Sequence, residues 1–234
     1  MRIQSWRGAA GRQWGVIVLF VALITVAVVR ADEGPPLDPL VDEILSGVEA
    51  RYASSAFAAR FDIESTLKAM QVTDTASGRL MVKYPGKMRW EYEQPDPMLF
   101  VTNGVTLWMY QPRENQVTVG LTDEVLGGSQ GASFLSDVRL LRKQFQIDLD
   151  PNGSDERARL RLTPREGAFD IAFITMTISR ATHDVIEVVT TNQYDDTTRI
   201  VFRDITFQQV FPDSLFEFEI PEGTDVLQFK RAAL

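Results

Sequence analysis

Ser129 has the surroundings that come nearest to a catalytic motif. Gly127-Gly128-Ser129-Gln130-Gly131 satisfies G-x-S-x-G, the turn on which serine hydrolases expose their nucleophile. That turn needs a buried strand before it, a helix after it and a parallel α/β sheet around both. Here only the helix is expected. The base would have to be His183, the single histidine of the chain, in the turn-like run Thr182-His183-Asp184, where a solvated side chain is the plainer expectation. The plainer reading of the serine is a Gly/Ser loop ahead of a helix, and a serine hydrolase acting through Ser129 stands as the remote alternative. The chain has no Cys, which excludes disulfides, thiolate metal sites and a thiol nucleophile. A single His nearly excludes a His-based metal site. The acidic pairs Asp155-Glu156 and Asp195-Asp196 fall where turns belong and lack EF-hand spacing. No catalytic residue, metal ligand or cofactor is expected.

Apolar surface is the more informative chemistry. Of the seven Met, five lie between Met70 and Met109, and Met suits surfaces that accommodate variable apolar shapes. They sit in or beside Gly78–Gly120, a run of alternating segments. Leu80, Val82 and Tyr84 share one face of the first. Met88, Trp90 and Tyr92 alternate with Lys87, Arg89, Glu91 and Glu93 in the second, the period of two that marks a strand with one apolar face. Pro85-Gly86 and Pro95-Asp96-Pro97 punctuate it. Asn103-Gly104 between two apolar runs is a hairpin signal, and Leu107-Trp108-Met109-Tyr110 is apolar on both faces. The block predicts an antiparallel meander, closed by a strand at Gln116–Val119. A doubly covered core strand would explain any one of these residues. As a set, a curled sheet lined by Leu, Met, Trp, Tyr and Phe suits an elongated apolar ligand.

The elements around the meander follow from the rest of the chain. Residues 1–31 carry Arg2, Arg7 and Arg12 ahead of the apolar run Val16–Val29, with Val29-Arg30-Ala31 as a cleavage site. This reads as an export signal, too short for a membrane helix, with an uncleaved anchor as the alternative. The formal charge is −8; without the signal it is 20 basic against 32 acidic residues, or −12. Such a charge disfavours nucleic acid and anionic membrane surfaces as partners. Asp38-Pro39 starts a helix whose stripe is Leu40, Val41, Ile44, Leu45, Val48 and Tyr52, ending near Ser54. Phe57, Ala59, Phe61 and Ile63 alternate in a first strand over Phe57–Leu67, and Met70–Ser77 reads as a polar loop. Phe134, Leu135, Val138 and Leu141 give a second amphipathic helix over Ala132–Lys143, with a further helical turn near Thr122–Leu126. Strands follow at Phe145–Leu149, Ala158–Leu162, Phe169–Ser179, Val185–Thr191, Thr197–Phe207 and Leu215–Ile220. The fold expected is mainly β (α+β): about eleven antiparallel strands in one sheet that curls into an incomplete barrel, with two or three helices on one side.

The meander resembles the outer-membrane lipoprotein carrier protein family, the LolA-like periplasmic chaperones. The resemblance is carried by Phe57-Ala58-Ala59-Arg60-Phe61, Gly78, Leu80, Val82, Lys83, Pro85, Trp90, Gln94-Pro95-Asp96, Asn103-Gly104 and Thr106-Leu107-Trp108-Met109-Tyr110. It continues at Pro112, Gln116-Val117, Leu162-Thr163-Pro164, Phe218, Pro221 and Gly223-Thr224-Asp225-Val226. It implies a single carrier domain over 32–234, an incomplete β-barrel under a helical lid, exported to the periplasm, with acyl chains of lipoproteins as cargo. The family takes cargo from an inner-membrane ABC-type release complex to an outer-membrane receptor that is itself a lipoprotein; the lack of Cys here selects the soluble carrier, expected as a monomer. The cavity residues expected are Phe57, Phe61, Leu80, Val82 and Tyr84 on the first strands and Met88, Trp90, Tyr92, Leu107 and Met109 beyond them. The lid would present Leu40, Ile44 and Val48 from one helix and Phe134, Leu135 and Val138 from the other. Where the family often has Arg to tether the lid, this chain has Tyr84. The alternatives are a carrier of another acyl lipid, or a lipid-sensing regulatory module of the same fold.

Overall fold

The computed structural model describes residues 37–53, 56–123, 138–165 and 171–229. Residues 1–31, the expected export signal, lie outside them, as do Phe134, Leu135 and the Gly127–Gly131 motif. Helix α1 (Pro39–Tyr52) begins as its cap residues dictate: the Asp38 carboxylate accepts the Leu40 N–H at 2.8 Å, and Pro39 occupies the first helical position, where no N–H is needed. Among the described residues, twelve strands then form one sheet. They are β1 (Ala56–Leu67), β2 (Val72–Lys83), β3 (Lys87–Gln94), β4 (Met98–Asn103), β5 (Thr106–Gln111) and β6 (Gln116–Leu121) in the first half. After a short helix α2 (Leu140–Gln144) come β7 (Phe145–Leu149), β8 (Arg157–Pro164), β9 (Ile171–Ser179), β10 (Val185–Asn192), β11 (Thr197–Phe207) and β12 (Asp225–Gln228).

The order across the sheet is β12-β6-β5-β4-β3-β2-β1-β11-β10-β9-β8-β7. Consecutive strands from β1 to β6 and from β7 to β11 pair antiparallel, as the hairpin signals require. At the Asn103-Gly104 hairpin the Asn103 side-chain oxygen accepts the amides of Val105 and Thr106 at 3.0 and 2.9 Å. The central β1–β11 pair joins the two halves. The sheet ends at β12 and β7, so the barrel is incomplete, as expected.

Three expectations are corrected. Residues 72–77 are the first half of β2, paired with β1 from Leu67↔Val72 onward; they are polar because both faces of this hairpin arm meet water. Leu215–Ile220 is no strand: a 3₁₀ turn occupies Asp213–Phe216, and the segment packs against the sheet without pairing to any strand. The twelfth strand follows it and pairs parallel to β6, Asp225↔Gln116 to Gln228↔Val119; all four of its residues are exposed, so it has no apolar alternation to read.

The core lies on one face of the sheet. α1 buries Val41, Ile44, Leu45, Val48 and Tyr52 there, in one cluster with strand residues from Leu107 of β5 to Phe145 and Ile147 of β7. The other face of β1–β3 carries Arg60, Arg79, Arg89, Glu91 and Glu93, cross-linked as Arg60–Glu93 at 2.8 Å and Arg79–Glu91 at 3.0 Å.

Candidate functional site

Strand register assembles the site row by row. Phe57, Val82, Met88, Thr102 and Leu107 are cross-strand partners in one row; Ala59, Leu80, Trp90, Phe100 and Met109 make the next; Phe61, Gly78, Tyr92 and Met98 the third. Paired residues share a face, so these rows tile one surface. Gly78 is where the third row needs a glycine. A Cβ there would stand 2.0 Å from the Glu91 carbonyl oxygen and 2.9 Å from the Phe61 ring. Phe61 therefore lies over Gly78, its ring 4.9 Å from that of Trp90 and 5.0 Å from that of Tyr92.

Seven of the ten expected cavity residues are buried in the core: Phe57, Phe61, Leu80, Val82, Met88, Trp90 and Leu107. Tyr92 is half-buried against them. Met109 is half-buried on the same face, and Tyr84 is half-buried just beyond the end of β2. Burial raises the Tyr92 phenol above its ordinary range. Of the helix residues, Ile44, Val48 and Val138 are buried in this cluster. Leu40 is 38% exposed and stays off the packed face, while its neighbour Val41 is fully buried.

Polar groups fasten the helices over this face. Arg142 of α2 donates to Glu49, Ser46 and Asp42 of α1, at 2.6, 2.9 and 2.5 Å. Arg139, just before α2, donates to the Tyr84 hydroxyl, and its guanidinium lies 5.3 Å from the Tyr84 ring centroid. The C-terminal half of α1 is held by the β9–β10 turn. Arg51 pairs with Asp184 at 2.8 Å, and the Tyr52 hydroxyl accepts the Val185 N–H at 2.9 Å; burial drives the Tyr52 phenol far above its ordinary range. The solvated histidine expected in this turn is corrected. A Cβ on Gly47 of α1 would lie 2.1 Å from the His183 ring, so the imidazole is seated against the helix. Among the described residues no three His, Asp or Glu side chains gather as a metal site, and no helix is long and apolar enough to cross a membrane.

The opposite face holds a feature that strand alternation understates. Residues 208–224 run across its back. Lys83 donates to the Phe211 carbonyl at 2.8 Å and to Asp213 at 2.6 Å, Lys87 pairs with Asp213 at 2.9 Å, and Arg89 donates to the Leu215 carbonyl at 3.2 Å. Phe216 is fully buried here, as are Val101 and Val117, and Phe218 packs 5.2 Å from Tyr110. This second apolar layer is why Leu107–Tyr110 reads as apolar on both faces. The alternation of Phe216 and Phe218 was a second signal of it in the sequence.

The family described as outer membrane lipoprotein carrier protein LolA matches residues 53–219. That span runs from β1 through the 3₁₀ turn and includes every strand of the apolar face. The chain belongs to the LolA family. The outer-membrane lipoprotein carrier protein of Nitrosomonas europaea is 31% identical to it over 214 residues, covering 91% of this chain and 97% of that one. That of Chromobacterium violaceum is 28% identical over 209 residues, covering 89% and 97%. Among solved structures, an uncharacterized conserved protein from Thermus thermophilus superposes with a TM-score of 0.54 at 14% identity, covering 80% of this chain and 98% of that one. MucB superposes with a TM-score of 0.50 at 14% identity, covering 82% and 67%. At these identities the structures speak for a shared fold and no further.

Proposed function

We propose that this protein is a non-enzymatic periplasmic carrier that shields the acyl chains of lipoproteins on the inner face of its sheet. The reading rests on one observation: in a LolA-family chain, three cross-strand rows of mostly apolar residues run continuously across one side of the sheet, buried at their centre and half-buried at their margins, while the other side of β1–β3 carries ion pairs. Phe57, Phe61, Leu80, Val82, Met88, Trp90 and Leu107 line the cavity, with Tyr84, Tyr92 and Met109 toward its margins. The helices form the lid through Ile44, Val48 and Val138. The carriers named among its relatives favour lipoprotein as cargo over another acyl lipid. An inner-membrane ABC-type release complex would supply that cargo and an outer-membrane receptor would take it, with residues 1–31 directing export.

Energetics require a lid. Burying an acyl chain is worth about 0.8 kcal/mol per CH₂, so a chain of about twelve methylenes gains on the order of 10 kcal/mol. Cargo held that tightly would not be released. The closed, empty arrangement offsets the gain, since cargo must first displace the packed helices, and the difference sets a transferable affinity. Tyr84 takes part in that closed state by accepting from Arg139, the reverse of a tether in which the strand would supply the Arg.

Met88→Glu tests the assignment. Met88 is 1% exposed at the centre of the first row, and an unpaired carboxylate there opposes an acyl chain. The variant is expected to lose binding of a fluorescent long-chain fatty acid while keeping the circular dichroism of a folded sheet. Undiminished binding by a folded variant would refute the cavity.

A further inference from the structure

The apolar face changes character toward one end. Past the row of Tyr92 the inward positions become Ala76 on β2 and Gln111 on β5, and Gln94, set opposite Ser77 by a register shift in β3, reaches the same end of the sheet and lines the cleft there. A cleft of ≈ 280 Å³ opens there between the β3–β4 and β5–β6 turns, lined by Tyr92, Met98, Gln94, Gln111, Asp96 and Arg113. It shares the face of the acyl-binding rows; the ≈ 410 Å³ cleft among Arg60, Arg79, Met81 and Glu91 lies on the opposite side. Met98 and the Tyr92 ring continue the apolar floor, and the two glutamines add neutral donors and acceptors.

Two features indicate what would sit there. The Tyr92 ring is half-buried at the floor of the cleft, and its hydroxyl bonds to no protein group among the described residues, leaving a phenol able to donate to a ligand. The charges at the rim cancel or are negative: Arg113 pairs with Asp96, and Glu114 remains beside them. The cleft therefore offers an anionic phosphate no free cation among these residues, but offers hydrogen bonds to uncharged carbonyl and amide groups.

We infer that this cleft binds the head of the cargo: the uncharged, amide-bearing peptide segment next to the acylated residue, with Gln94, Gln111 and the Tyr92 hydroxyl as its partners. The inference rests on the carrier reading above, and it makes the rim a specificity determinant for acylated peptide over anionic phospholipid. The acyl chains lie along the buried rows and the peptide leaves between the two turns.

The test measures binding of three probes to the mature chain: a synthetic diacylated peptide with uncharged residues, a phosphatidylglycerol bearing the same chains, and a long-chain fatty alcohol. Wild type is expected to prefer the lipopeptide to the phospholipid by about tenfold, the scale of one or two hydrogen bonds. Gln111→Ala, checked for a native circular dichroism spectrum, is expected to cut lipopeptide affinity by about fivefold while leaving the fatty alcohol unchanged; Tyr92→Phe, which keeps the ring in the cavity floor, is expected to cut lipopeptide affinity about fivefold more than that of the alcohol. Gln94→Ala provides a third readout should either variant fail to fold. Equal losses for lipopeptide and alcohol would make the cleft a mere extension of the apolar cavity and overturn the inference. So would unchanged lipopeptide affinity in the variants, or a wild-type preference for the phospholipid. If no probe binds, the alcohol included, the carrier reading itself fails and the subsite falls with it.

Discussion

On the proposed reading, single side chains set how firmly the helices stay closed over the sheet. Tyr84 and Arg139 meet at the margin of the cavity, and removing the hydroxyl removes one restraint on the closed state without touching the acyl-binding rows. Tyr84→Phe is therefore expected to tighten binding of an acyl probe by about fivefold, the worth of one hydrogen bond, measurable by fluorescence titration. Unchanged affinity would remove Tyr84 from the closing mechanism. On the back of the sheet, hydrogen bonds and charge from Lys83 and Lys87 hold the Asp213 carboxyl down at about 2, from an unperturbed 3.8. A carboxyl lowered by folding stabilises the fold above its unfolded value, and that contribution disappears as pH falls through the folded value. Between about pH 4 and about pH 2 the segment around Asp213 is thus expected to loosen from the sheet. Hydrogen exchange at the Leu215 and Glu217 amides should lose protection in that window in wild type, and already at neutral pH in Asp213→Asn. Of these residues, Tyr84 stood out in the sequence as a departure from the family's Arg. Its partner did not, because nothing in the spacing of Arg139, Arg142 and Lys143 says which of three neighbouring cations reaches a given strand.

Helix α1 and strand β12 are held by different means. α1 carries an apolar stripe, and its position is fixed by a close approach: Gly47 leaves room for the His183 ring. Gly47→Ala is expected to push the helix from the β9–β10 turn and lower stability by about 1–3 kcal/mol, as overpacking does, with an earlier thermal midpoint. The double variant with His183→Ala should recover most of it; failure to recover would locate the strain elsewhere. β12 has almost no buried side chain, and its attachment converges on Asn115. The Asp225 amide donates to the Asn115 carbonyl at 2.9 Å, and the Asn115 side chain donates to the Gly223 carbonyl at 2.8 Å and meets the Thr224 hydroxyl at 3.2 Å. Asn115 has φ of 48°, so Asn115→Gly keeps the backbone and deletes only the side-chain bonds. The expected result is faster hydrogen exchange at Asp225 and Phe229 with the rest of the sheet unchanged. α1 and the meander were legible because each couples a cap or turn residue to an apolar period. β12 was not legible, since a strand held by backbone bonds on an exposed edge leaves no pattern in the side chains. Nor was the length of β2, whose first residues are solvated on both faces.

For the whole molecule, the arrangement is a sheet with one side given to apolar surface and the other to charge and a strapping segment. The incomplete barrel followed from eleven alternating segments with no βαβ pattern; the parallel edge required the structure. The apolar rows were likewise predictable from alternation, whereas the polar end of that face depends on the register that brings Gln94 and Gln111 to one cleft. The central claim is that this face carries lipoprotein acyl chains through water. The most direct measurement incubates the mature protein with membranes bearing a triacylated lipoprotein, the releasing ATPase complex and ATP, and asks what becomes soluble. The account predicts lipoprotein in the soluble fraction bound one to one to this protein, and none with Met88→Glu. Lipoprotein that stays in the membrane beside the folded wild-type protein would contradict it.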